Sequence, residues 1–97
     1  MSRKNFVRFK PEQKYHYHRK RSESPGPNGM KFGSPKHCYS IGFTDGFFGI
    51  NNSRAINGEF GAKSQKSYDS GHFRGRKAFR EFFNRTGKQA HAVRDYK

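Results

Sequence analysis

The chain has 97 residues, with 21 Lys and Arg against 7 Asp and Glu and a formal charge of +14 at pH 7. A hydrophobic fraction of 30% leaves room for one small domain and too little apolar material to pack every residue, so part of the chain is expected to stay unfolded when free. No run approaches the roughly 20 apolar residues of a membrane span, the first residues lack a signal-peptide pattern, and the single Cys38 excludes an intramolecular disulfide; together these predict a cytoplasmic protein with no membrane partner, whose partners are polyanions.

The charge is unevenly placed. Residues 1–36 hold ten Lys and Arg against Glu12 and Glu23, and residues 62–97 hold ten against Asp69, Glu81 and Asp95. Between them, residues 37–61 carry only Arg54 against Asp45 and Glu59. Two basic segments therefore flank a nearly neutral centre rich in aromatic residues and glycine.

Residues 1–33 read as a disordered basic arm, because Pro11, Pro25, Pro27, Gly26, Gly29 and Gly33 interrupt any helical period. Within it Phe6 and Phe9 are interleaved with Arg3, Lys4, Arg8 and Lys10, and Tyr15 and Tyr17 alternate with His16 and His18 before Arg19, Lys20 and Arg21. Rings of this kind stack on unpaired bases while guanidinium and ammonium groups neutralise phosphates, so these residues are candidate nucleic-acid contacts.

A first helix is predicted from Ser34 as N-cap and Pro35 at the first helical position to about Phe48, with Gly49 ending it. Tyr39, Phe43, Gly46, Phe47 and Ile50 form its apolar stripe. Residues 51–63 read as a connector. A second helix is expected to open at Ser64 or Ser67 and to close at Gly87. Its apolar side takes Tyr68, Gly71, His72, Gly75, Ala78, Phe79 and Phe82; Arg74, Lys77 and Arg80, with Arg76 at the flank, form a row of cations suited to phosphates, and Lys77 is spaced to pair with Glu81. Residues 88–97 are left as a short tail. The fold class is mainly α, a two-helix hairpin over residues 34–87.

Both helices carry the pattern aromatic-x-x-Gly-x-x-x-Gly, at Tyr39, Gly42 and Gly46 and again at Tyr68, Gly71 and Gly75. Each glycine costs a helix roughly 1 kcal/mol relative to alanine, so the repeat calls for close backbone approach. Helix packing is therefore assigned to Tyr39, Gly42, Phe43 and Gly46 against Tyr68, Gly71, Gly75 and Phe79.

Catalytic chemistry has no foothold. The carboxylates are scattered, no nucleophile has an adjacent base, and no phosphate-cradling or dinucleotide motif occurs. No ligand set has zinc-finger spacing, and Cys38 reads as a small buried group. The chain is expected to be no enzyme, and to need no metal, cofactor or small-molecule substrate.

At Gly42-Phe43-Thr44-Asp45-Gly46-Phe47-Phe48-Gly49, and again at Tyr68-Asp69-Ser70-Gly71-His72-Phe73-Arg74, the chain resembles the ribosome modulation factor family of bacteria. The resemblance covers residues 37–83. Members of that family are small basic two-helix proteins that bind ribosomal RNA and help drive ribosomes into an inactive, dimeric, hibernating state. The resemblance implies a ribosome-associated RNA-binding protein acting in translation regulation. Two other readings fit the composition: a phage-type protein that binds single-stranded DNA during packaging, and a small inhibitor that grips a host protein with its neutral aromatic centre. If about eight cations reach phosphates, single-strand binding should show a log–log salt slope near −6.

Overall fold

The computed structural model describes residues 9–23 and 34–96. The elements in chain order are α1 (Pro11–Glu23), α2 (Pro35–Phe48), the single turn α3 (Ser53–Ile56), α4 (Ala62–Thr86) and a 3-10 helix (Ala90–Asp95). The described residues are mainly helical and contain no strand.

Helix α2 has the predicted ends. The Ser34 hydroxyl accepts from the His37 N–H at 3.3 Å, Pro35 occupies the first turn, and Gly49 closes the helix in the left-handed region at φ 72°. Helix α4 also closes as expected, at Gly87, whose N–H bonds the Phe83 carbonyl at 2.7 Å. Its start differs. The helix opens at Ala62 with Gly61 as its N-cap, so Ser64 is a buried residue of the first turn and not the cap. Gly61 stands at φ 84°, a conformation open to glycine that turns the chain abruptly out of the 57–60 turn and into the helix.

The repeated glycines lie where α2 and α4 touch. A Cβ at Gly42 would collide with the Tyr68 carbonyl, and one at Gly46 with the His72 carbonyl; reciprocally, Gly71 faces the Tyr39 carbonyl and Gly75 the Phe43 carbonyl. Partner numbers rise together along the two helices, which therefore run in the same sense. The predicted two-helix hairpin over residues 34–87 is thereby corrected: α2 and α4 form a parallel pair in which the two sequence repeats are related by a local two-fold. Small-residue pairs at four-residue spacing permit this because the main chains can approach without intervening side chains, and the contact gains Cα–H···O interactions. Residues 49–61, with α3 inside them, carry the chain back to the start of α4.

A second correction concerns the N-terminal third. Residues 11–23, expected to be part of a disordered arm, are helical and packed. Pro11 takes the first position of α1, where its missing N–H costs nothing, and the Gln13 side chain accepts from the Lys10 N–H at 2.8 Å as in half of a capping box. Tyr15 is 4% exposed and lies 4.9 Å from Phe47 and 5.6 Å from Phe48 between ring centroids. The buried Glu12 carboxylate takes a hydrogen bond from Arg85 of α4. His16 bonds the Val93 carbonyl at 3.1 Å, and His37 of α2 bonds the Ser22 carbonyl at 2.9 Å near the end of α1. The remainder of the expected arm, residues 1–8 and 24–33, lies outside the described residues.

Phe47 is the centre of the core, with Tyr15 on one side and Phe79 and Phe82, each 5.7 Å away, on the other. Burial of a Phe side chain contributes about 1.5–3 kcal/mol. The expected tail takes part as well: Val93 is fully buried, and Tyr96 sets its edge against Phe82 at 5.1 Å. Ile50, placed by its spacing on the apolar stripe, is instead 56% exposed, because the chain leaves the helix at Gly49.

Candidate nucleic-acid interface

Packing of α1 across the α2/α4 pair creates a groove of about 690 Å³. His18, Tyr39 and Phe43 line its floor; Phe9, Tyr17, Lys14, Arg74 and Lys77 stand around it. A second hollow of about 520 Å³ shares Tyr17, His18 and Tyr39 with the first and leads on to Arg21, Lys36 and Ser67. The two make one track, paved with rings and bordered by cations from three helices.

The track gathers some of the residues singled out in the sequence and leaves others aside. Tyr17 is 57% exposed, and the Arg21 guanidinium lies 5.2 Å from its ring centre while donating to its hydroxyl at 3.0 Å. Arg74 and Lys77 stand on the α1 side of α4. Arg76 and Arg80 border a separate hollow of about 250 Å³ with Phe48, Phe79 and Gln89, so the expected row of cations is divided between two surfaces. Arg19 is held by Glu23 at 3.0 Å, and Lys20 is exposed away from the groove lining. Tyr15, read as a stacking residue, is a core residue; that assignment is corrected.

Sequence reasoning missed Lys14, Lys36 and the groove-lining role of Tyr39. Lys14, Tyr17 and Arg21 recur at three- and four-residue spacing, which places them on one face of a helix. That signal becomes visible once residues 11–23 are recognised as helical.

The three ion pairs among the described residues engage carboxylates that do not line the track. Glu12 pairs with Arg85, Glu23 with Arg19 and, at 3.9 Å, Glu59 with Arg54. Lys14, Arg74 and Lys77 enter no ion pair among the described residues, and the Lys77 ammonium lies 5.9 Å from the centre of the Phe73 ring. The expected Lys77–Glu81 pair is absent among these contacts.

His18 belongs to the apolar floor and adds no charge to the border. It stacks on Phe43 with ring centres 4.4 Å apart, and its Nδ1 lies 3.0 Å from the Ser40 hydroxyl. Burial chiefly, with the neighbouring Arg21 charge, pushes its pKa down to about 4, so the ring is neutral at pH 7.

Asp45 and Tyr68 are engaged with each other below the surface. The Tyr68 hydroxyl donates to Asp45 Oδ2 at 2.8 Å and accepts the Asn52 N–H at 2.8 Å, which ties the start of the connector to α4. Burial raises the pKa of both groups. Burial likewise raises the Cys38 thiol, which Ser64 contacts. Among the described residues no three His, Cys, Asp or Glu side chains converge as a metal site would need, and no helix is long and apolar enough to cross a membrane.

Compared with known proteins, the chain matches no family model, no curated protein and no solved structure.

Proposed function

We propose that this protein is a small RNA-binding accessory factor directed to ribosomal RNA, holding unpaired nucleotides along the track between α1, α2 and α4. The observation that carries this reading is the exposure of Tyr17 and Phe9 beside Lys14, Arg74 and Lys77 over a groove of about 690 Å³. Rings of Tyr and Phe take bases on their faces at about 1–3 kcal/mol per base, and the flanking cations neutralise the phosphates and release their counterions. Packed helices α1 and α4 carry Lys14, Tyr17, Arg74 and Lys77, which reduces the ordering cost of binding. The division of cations between Arg74/Lys77 and Arg76/Arg80 gives a nucleic acid two surfaces of α4 to follow.

The choice of ribosomal RNA rests on the resemblance of residues 42–49 and 68–74 to the ribosome modulation factor family. The parallel packing of the repeated glycines is compatible with it, since those motifs then build the scaffold while α1 and the α4 cations make the contact.

The test is sedimentation with purified ribosomal subunits through sucrose at low salt, with single-stranded DNA of equal length distribution as competitor. Co-pelleting that resists the DNA competitor is the expected result. Protein that stays in the supernatant, or that leaves the subunits for DNA at equal nucleotide concentration, contradicts a ribosomal target; the latter outcome would favour the single-stranded DNA reading.

A further inference from the structure

The groove contains one group that a purely phosphate-binding surface would exclude. Glu81 lies in its lining together with Lys14, Arg74 and Lys77. A carboxylate there repels the phosphates that its neighbours attract, so its presence weakens backbone binding. The ordinary explanation, an i,i+4 pair with Lys77, does not apply: Glu81 enters no ion pair among the described residues, and the Lys77 ammonium is turned toward the Phe73 ring. Glu81 is exposed, and its carboxylate takes part in no hydrogen bond or ion pair among the described residues.

We infer that Glu81 reads an unpaired guanine held in this groove, an inference that rests on the nucleic-acid reading above. A carboxylate accepts two hydrogen bonds side by side, and the Watson–Crick edge of guanine offers two adjacent donors, N1–H and the N2 amino group. Adenine and cytosine each place an amino donor next to a bare ring nitrogen, whose lone pair faces the second carboxylate oxygen. Uracil has a single N–H between two carbonyls. The carboxylate thus rewards one base and opposes the other three, which is how discrimination arises from repulsion as well as attraction. The base stacks on the rings at the rim while Lys14, Arg74 and Lys77 hold its flanking phosphates, so the sequence-blind electrostatic contribution remains and guanine preference is added to it.

The experiment uses the full chain and four labelled RNA hexamers, hexauridine and the same strand with a single central G, A or C, titrated by fluorescence anisotropy at one salt concentration. The G-containing strand is expected to bind about ten-fold tighter than the other three. In Glu81→Ala the four strands should bind within about two-fold of one another, and the strands without guanine should bind more tightly than they do to the wild type. Equal binding of all four hexamers by the wild-type protein overturns the guanine assignment and leaves RNA binding standing. A guanine preference that survives in Glu81→Ala overturns the role of this residue. Failure to bind any hexamer at low salt removes both the RNA reading and this inference.

Discussion

Gly46 lies against the main chain of His72, so near that a Cβ on the glycine would stand 2.8 Å from the His72 carbonyl carbon and closer still to its oxygen. Neither backbone can yield without unwinding a helix. A side chain at this position therefore separates α2 from α4, however much it favours the helix locally. Gly46→Leu and Gly71→Leu are expected to lose about 3 kcal/mol in urea unfolding, whereas Ser70→Leu, on an exposed position of α4, should change stability by less than about 0.5 kcal/mol. Glycine variants that melt above the wild type would contradict the parallel contact.

The Glu12–Arg85 pair joins residues 73 positions apart and fastens α1 to α4. Arg85→Met leaves a buried carboxylate without its cation, at an expected cost of about 2 kcal/mol given that the arginine is partly solvated. The double variant Glu12→Leu/Arg85→Met should recover most of that loss, as a double-mutant cycle would show. Additive losses would mean that the pair contributes nothing as a pair.

Removing residues 1–33 should both lower the far-ultraviolet helical signal and destabilise what remains, because α1 covers Phe43 and Phe47 through His18 and Tyr15. This reverses what the sequence alone led one to expect. The ends of α2 were legible because Ser34, Pro35 and Gly49 act on their immediate neighbours. Helix α1 was not legible: Pro11 acts as a starter at the first turn and a breaker elsewhere, and what fixes α1 in place is distant, through Arg85 and Val93. The glycine repeat announced close backbone contact, yet spacing along one chain does not state direction, so the parallel sense of α2 and α4 emerged only from which carbonyl meets which glycine. Part of the track was hidden for the same reason, since Lys14 and Tyr17 share a face only when residues 11–23 are helical.

Stability should fall on mild acidification because of His18. Its folded pKa of about 4 lies below the ordinary 6.5, so as pH drops the unfolded chain takes up the proton first. The stabilisation is complete above about pH 6.5 and is lost progressively toward pH 4, amounting to about 2 kcal/mol once solvent screening is allowed for. His18→Phe keeps the stack on Phe43 and should remove this contribution between pH 6.5 and 4, as denaturant midpoints at several pH values would reveal. An unchanged acid dependence in that variant would assign the effect to other groups.

The salt dependence of RNA binding measures the central claim most directly. Lys14, Arg21, Lys36, Arg74 and Lys77 border the track, fewer than the eight cations assumed from charge alone, and five phosphate contacts on a single strand correspond to a log–log slope of about −3.5. Replacing Lys14, Arg74 and Lys77 together by Gln should flatten the slope to about −1.5 while leaving the helical signal intact. A wild-type slope near zero, or a triple variant with the wild-type slope, would contradict binding along this track.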